Sequence, residues 1–216
     1  PAVITRLGDI HFKGVVGGVS QDIALKGILD TDAGKVNLAV GRHGRQFTGR
    51  IETANLDLKR ILADNRFGNT ATRINIDGEL PKSRQLKDAM IKAQGIISQF
   101  TYNSYIYKNL SIDGIYRRGA FDGKLGMDDP NGKIAINGHI GMTGIPSARL
   151  TAEVQQLNLS NLNITNRWPR TQFSFGLTAE ISGNSLNTLV GNIYLTGFTM
   201  KSPNQDYFLS TMHLQA

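Results

Sequence analysis

Apolar and polar residues alternate along most of this chain. Arg73-Ile74-Asn75-Ile76-Asp77-Gly78-Glu79-Leu80 repeats with period two, and so do Lys133 to Ile140, Ser147 to Val154 and Gln172 to Ile181. Successive side chains of a strand point to opposite faces, so period two marks a sheet with one apolar and one wet face. In the last stretch Phe173, Phe175, Leu177, Ala179 and Ile181 share a face. Turn-forming clusters separate the stretches: Asp32-Ala33-Gly34, Arg42-His43-Gly44, Arg117-Arg118-Gly119, Asp129-Pro130-Asn131-Gly132 and Ser202-Pro203-Asn204. This spacing predicts an all-β, antiparallel meander of about a dozen strands with no strand–helix rhythm.

Glycine interrupts the apolar face in a recurring way. The pattern apolar-x-Gly-x-apolar occurs at Phe12-Gly14-Val16, Leu25-Gly27-Leu29, Phe47-Gly49-Ile51, Ile76-Gly78-Leu80, Ile112-Gly114-Tyr116, Phe121-Gly123-Leu125, Ile136-Gly138-Ile140 and Leu189-Gly191-Ile193. A glycine inside a strand weakens it by roughly 1 kcal/mol or less. Repeating that cost at one kind of position implies a shared reason. The glycines bend the sheet or host bulges, let another layer approach, or leave a gap for a ligand.

Two breaks interrupt the meander: Ala54 to Leu62 (ANLDLKRIL) and Gln156 to Ile164 (QLNLSNLNI). Asp57 or Ser160 is suited to cap a short helix, with Leu58, Ile61 and Leu62 on its buried side. The likeness of the breaks suggests two repeat-like blocks, about 1–100 and 101–216, within one elongated β domain. Lys82 to Ser98 fits a helix through Leu86, Met90, Ile91 and Ala93, but also alternates, and is read as strand because no stop signal follows. The opening PAVITRLGDI is strand-like, as is the end, so the chain is expected to be a segment of a longer protein.

Composition narrows the function classes. The 216 residues are 40% hydrophobic and 19% charged, an ordinary globular balance, with no cysteine and hence no disulfide or thiol chemistry. No apolar run approaches the ~20 residues that span a bilayer. The net charge is +7. The excess lies in the first half, around Arg42, Arg45 and Arg50 and around Lys82, Arg84 and Lys87. These charges alternate with apolar residues, as on a solvated sheet face, and do not cluster as a nucleic-acid site would.

Candidate chemistry is sparse. His11, His43, His139 and His213 sit alone, without the spacing of a zinc site. Asp30 to Gly34 and Asp128 to Gly132 lack the terminal ligand of a calcium loop and read as hairpin turns. Gly14-Val15-Val16-Gly17-Gly18 opens no helix, which excludes a phosphate loop. Glu52, Glu79, Glu153 and Glu180 fall on polar faces. Neither a catalytic constellation nor a metal or cofactor site is expected, and the chain is not read as an enzyme.

Several stretches together resemble a family. Phe47 to Leu62 (FTGRIETANLDLKRIL), Tyr105 to Asn131 (YIYKNLSIDGIYRRGAFDGKLGMDDPN), Leu157 to Ile164 (LNLSNLNI) and Leu189 to Tyr207 (LVGNIYLTGFTMKSPNQDY) are similar to the C-terminal region of Bacteroidetes-type TamB, the translocation and assembly module component, within the AsmA-like group. The resemblance covers about half the chain. It implies a long antiparallel sheet curled into an open apolar groove, a β-taco. It also implies a periplasmic protein of a Gram-negative bacterium, anchored in the inner membrane and meeting an outer-membrane barrel of the BamA superfamily, TamA-like. The associated roles are phospholipid movement between membranes and outer-membrane biogenesis. No anchor lies in this chain, and the family supplies no catalytic residue.

On this reading the glycines both bend the sheet and widen a lipid groove. Its candidate lining is Phe47, Gly49, Ile51, Ile76, Gly78, Leu80, Ile112, Gly114, Phe121, Gly123, Leu125, Ile136, Gly138, Ile140, Phe173, Phe175 and Leu177. The expected ligand is a phospholipid or another acyl chain. Two rivals remain. One is a scaffold whose edge strands template outer-membrane proteins by β-augmentation. The other is a carbohydrate-active β-solenoid or sandwich, with Tyr102, Tyr105, Tyr107 and Trp168 as platforms on an outer face.

Overall fold

The structure, a computed structural model, describes residues 2–19, 22–81 and 88–215. It is all-β, with 13 strands in one open antiparallel sheet whose spatial order follows the sequence. The strands are β1 (Ile10–Val19), β2 (Asp22–Thr31), β3 (Gly34–His43), β4 (Gln46–Asp57), β5 (Phe67–Glu79), β6 (Met90–Tyr102) and β7 (Tyr105–Arg117). There follow β8 (Ala120–Asp129), β9 (Gly132–Gly141), β10 (Ser147–Leu157), β11 (Gln172–Ser182), β12 (Val190–Lys201) and β13 (Asp206–Gln215). Two short helices, α1 (Ala2–Arg6) and α2 (Leu58–Leu62), and a 3₁₀ turn at Leu186–Thr188 complete the described elements. The chain divides into two compact units, Pro1–Ser111 and Ile112–Ala216.

Tight turns set the register. Asn103 and Ser104 both have positive φ, 47° and 64°, the two-residue geometry that matches the twist of the strands it joins. Gly44 (φ 58°) makes the β3–β4 turn with Arg45, so Arg42 and His43 belong to β3 and not to the turn. The segment Asp30 to Gly34 forms the β2–β3 hairpin and Asp128 to Gly132 the β8–β9 hairpin.

Each unit contains the same irregularity. In β4 the pairing with β5 slips between Thr53 and Leu56; in β10 the pairing with β11 slips between Val154 and Leu157. Immediately after each slip the chain docks on the hairpin two strands back. Asp57 N–H donates to Ala33 O (2.7 Å), and Asn158 N–H donates to Asn131 O (2.8 Å). One strand later β5–β6 slips between Ala71 and Thr72, and β11–β12 between Ser174 and Gly176. Bulges bend and twist the strand that carries them. These bulges do not fall on Gly49, Gly78, Gly114, Gly123 or Gly138, so those glycines do not host them.

Several sequence expectations change. The opening residues form α1, not a strand. Long-range contacts hold it there: Arg6 Nη1 donates to Ile61 O (3.2 Å), Arg60 Nε donates to Arg6 O (2.8 Å), and Asp32 N–H donates to Leu7 O (3.0 Å). Asp57 does cap α2, accepting from Arg60 N–H at 3.1 Å. Yet α2 has no buried residue, and Leu62 is 46% exposed, because this one short turn touches only β5 and the equally short α1, which are too little to enclose it. The second break forms turns, not a helix. Asn158, not Ser160, caps them, its Oδ1 accepting from Asn161 N–H (3.0 Å). Ser160 Oγ instead reaches Thr165 O and Trp168 O, both at 3.0 Å. Gly14 to Gly18 lies inside β1. Of Lys82 to Ser98, the part from Met90 is strand, whereas residues 82–87, Leu86 among them, lie outside the described residues.

The core is thin. Leu162, in the loop between β10 and β11, is fully buried, and Val154, Leu157, Phe173 and Met127 are the larger side chains at or below 9% exposure. The chain exposes 14068 Å² of surface. A compact protein of its 23.6 kDa exposes about 9,800 Å². The excess follows from a single sheet layer whose apolar side chains are half-buried by their neighbours, with no second layer over them among the described residues.

Candidate functional site: an apolar face in each unit

Cross-strand register assembles the alternating residues into straight rungs. In the first unit one rung runs Gly14–Gly27–Leu38–Ile51–Ile74–Gly95 across β1 to β6. The next runs Val16–Leu25–Val40–Gly49–Ile76–Ala93, and a third Gly18–Ile23–Arg42–Phe47–Gly78–Ile91. The candidates Phe47, Gly49, Ile51, Ile76 and Gly78 therefore share one face. Leu80 lies just past β5 and is tied to the β3–β4 turn by its N–H, which donates to Arg45 O (2.8 Å).

The second unit repeats the construction. Gly123–Gly138–Leu150–Ala179–Ile193–Leu214 form one rung across β8 to β13, and Leu125–Ile136–Ala152–Leu177–Leu195–Met212 the next. Phe121 and Ile140 start a third rung, Phe175 pairs with Val154, and Phe173 pairs with Leu157. Gly114 comes within 2.4 Å of the Cβ position at Gly123, through its Cα, so Gly114 and its strand neighbour Ile112 join this face. All candidates in this unit lie on one face. The sequence reading missed its extension through Ile193, Leu195, Met212 and Leu214. The alternation of those residues was present, but their register was not.

The glycines are explained by what lies over them. The Phe12 ring is 2.7 Å from where a Cβ at Gly14 would stand and 2.8 Å from one at Gly27. The Phe47 ring is 2.8 Å from the Gly78 position, and the Phe121 ring 2.5 Å from the Gly114 position. Ile76 Cγ1 is 2.9 Å from the Gly49 position. An aromatic ring laid over a glycine on the next strand covers backbone that the glycine leaves bare. At these positions neighbouring side chains fill the space of the missing ones, whereas at Gly95, Gly123 and Gly138 the backbone of the adjacent strand already stands within 2.4 Å of the Cβ position.

Aromatic rings close one end of each apolar face. In the first unit Phe67 packs on Tyr102 (centroids 5.1 Å apart) and Tyr105 on Tyr107 (4.8 Å), with Phe100 among them. In the second, Trp168 packs edge-on to Phe173 (5.6 Å), and Phe198 touches Phe173 and Phe175. The three tyrosines and Trp168 are therefore spent in packing and do not form a platform on the polar face.

The polar faces carry cross-strand hydrogen bonds and ion pairs between exposed side chains. In the second unit a polar rung runs Asp122–His139–Arg149–Glu180–Asn192. His139 Nδ1 pairs with Asp122 (2.7 Å), Arg149 with Glu180 (2.5 Å) and His213 Nε2 with Asn192 (2.7 Å). In the first unit His43 pairs with Asp22, and Glu52 accepts from both Arg50 and Arg73. Shallow clefts of about 460 Å³ at Gly17, Ala24, Gly41 and Thr48, and about 520 Å³ at His139, Arg149 and Glu180, lie where polar-face side chains are short or paired off. The first cleft is also lined by Ile23, Arg42 and the candidate Phe47, and the second by Ala148 and Ile181, so each reaches residues of the apolar rungs as well. Glu52, Glu79, Glu153 and Glu180 all stand on polar faces.

Among the described residues no helix is long and apolar enough to cross a membrane, and no three His, Asp or Glu residues converge as metal ligands. No family model, no curated protein and no solved structure matches the chain.

Proposed function

We propose that this chain is a segment of a periplasm-spanning protein whose apolar face binds phospholipid acyl chains and conducts them between the inner and outer membranes. The observation that carries the reading is the uncovered apolar face: each unit aligns three or more rungs made, apart from Arg42, of apolar residues and glycine, with no second layer over them among the described residues. Partners follow from the resemblance to TamB: an inner-membrane anchor and a BamA-superfamily barrel, both reached through the longer protein. Within each unit the bulges bend the strands that carry them, which suits the groove that the resemblance implies.

Energetics suit conduction better than storage. Each methylene withdrawn from water contributes ~0.8 kcal/mol, but a bilayer offers a chain the same gain. Transfer to the face is near neutral, and a face of repeated rungs holds no deep trap.

The test is lipid uptake from labelled vesicles, followed by native mass spectrometry. Ile23 (44% exposed) and Leu214 (48%) stand on apolar faces, and Ile28 (42%) on a polar one. Ile23→Gln and Leu214→Gln are expected to lower uptake with the β-type circular dichroism unchanged, while Ile28→Gln leaves uptake intact. Absence of uptake by the unaltered chain, or equal loss in all three variants, removes the reading.

One observation favours a second reading. All ten residues of edge strand β1 are exposed, and Val15, Val16 and Val19 stand at 74%, 63% and 80%. Such an edge offers unpaired N–H and C=O groups to an incoming strand, the scaffold role in outer-membrane assembly by β-augmentation.

A further inference from the structure

The three full rungs of the first unit bring together eighteen positions on one face, and one of them is charged. It is Arg42, on the last full rung, between Ile23 and Phe47. The end of the face it occupies is the one without the aromatic cluster. Its Nε donates to Gly44 O at 2.8 Å, which fixes the guanidinium at the β3–β4 turn. No carboxylate pairs with it among the described residues. Neighbouring Arg45 differs: its Nη2 is neutralised by Glu79 Oε1 at 2.8 Å. In the second unit the rung Phe121–Ile140–Ala148–Ile181–Gly191 ends its face with no charge.

A guanidinium is planar, permanently charged, and offers paired N–H groups that fit a phosphate. Placed at the open end of an apolar strip, it complements an amphiphile whose tail lies on the strip and whose head carries net negative charge. We infer that the apolar face of the first unit selects anionic phospholipid through Arg42, with the acyl chain along the two rungs that hold Leu25 and Leu38 and the head-group phosphate at the guanidinium. This rests on the lipid-binding reading and adds to it the head group and its recognition residue. A zwitterionic head brings its own cation to the site, which offsets the attraction.

The experiment uses the full chain and vesicles of equal parts phosphatidylglycerol and phosphatidylcholine, with bound lipid identified by native mass spectrometry. The unaltered chain is expected to carry the anionic lipid in about threefold excess, the scale of an exposed ion pair. Arg42→Gln removes the excess while total uptake persists. Lys26→Gln, which deletes an exposed cation from the polar face of the same unit, keeps it. Salt near 1 M, where the screening length is about 3 Å, also removes it. Equal uptake of both lipids by the unaltered chain overturns the role of Arg42 and leaves the apolar groove standing. Loss of the excess in Lys26→Gln as large as in Arg42→Gln overturns it too, by showing a general charge effect. Uptake of neither lipid overturns the groove itself.

Discussion

The ring of Phe47 on β4 lies over Gly78, its direct partner on β5, close enough that a Cβ at Gly78 would stand 2.8 Å from the ring. The ring takes the space that a side chain would otherwise need, and it shields the bare backbone of the neighbouring strand.

Gly78→Ala is therefore expected to destabilise the chain by about 1–3 kcal/mol, the range for overpacking. Part of that is shared with Phe47. In a double-mutant cycle with Phe47→Leu, measured by urea denaturation, the coupling should be non-zero. The whole loss will not be recovered, since Met90 O also stands 2.1 Å from the added Cβ. Strict additivity of the two substitutions would show that the ring is not what excludes a side chain there.

Leu162 is the fully buried side chain of the loop that covers the capped end of the second unit. Leu162→Ala should cost about 2–5 kcal/mol. Hydrogen exchange is expected to rise first at the amides of Asn158 and Ile164, which bond to Asn131 O and Leu159 O. Unchanged protection there would mean that the loop is not anchored by this residue.

Glu52 accepts a hydrogen bond from Arg50 Nε (2.7 Å) and faces Arg73 Nε (2.9 Å), and the Arg50 bond first, then the charges of both arginines, hold its pKa below the ordinary range. A lowered folded-state value means that the stabilisation is full above the unfolded glutamate value of about 4.3 and is lost as pH falls through the folded value. The urea midpoint of Glu52→Gln should thus lie below that of the unaltered chain at neutral pH, with the gap closing under acid. A gap that stays constant into acid would remove the carboxylate as its cause.

Edge strand β1 carries one lysine, Lys13, as its only formal charge and displays Val15, Val16 and Val19. Val15→Lys should reduce concentration-dependent association in sedimentation velocity, since inserted charge is how natural edges are blunted. If the chain is monomeric with or without the substitution, β1 does not recruit strands and the scaffold reading loses its support.

The fold was legible because alternation and turn chemistry agreed along most of the chain; residues such as Lys133 to Ile140 read as strand on both counts. Faces were legible for the same reason, and the candidates within strands fell together in each unit, whereas Leu80 lies just past β5. What failed depended on distant partners. The opening residues became α1 through Arg60 and Asp32, which no local pattern announces. Arg42 read as a turn residue because the triplet Arg42-His43-Gly44 hides a two-residue turn that begins at Gly44. The glycine spacing was visible, but its reason lay in the cross-strand register that sets Phe12, Phe47 and Phe121 over their glycines.

The docking of each bulged strand on the earlier hairpin has an evolutionary consequence. Both bonds, Asp57 N–H to Ala33 O and Asn158 N–H to Asn131 O, use main-chain atoms that every residue but proline supplies. Selection on that joint acts on backbone path and scarcely on side-chain identity. Two joints built this way keep one pattern of main-chain bonds with different letters at the donor, Asp57 in one and Asn158 in the other. The mark of such a joint is where the strand slips, and it is better sought by comparing bulges than by comparing side chains.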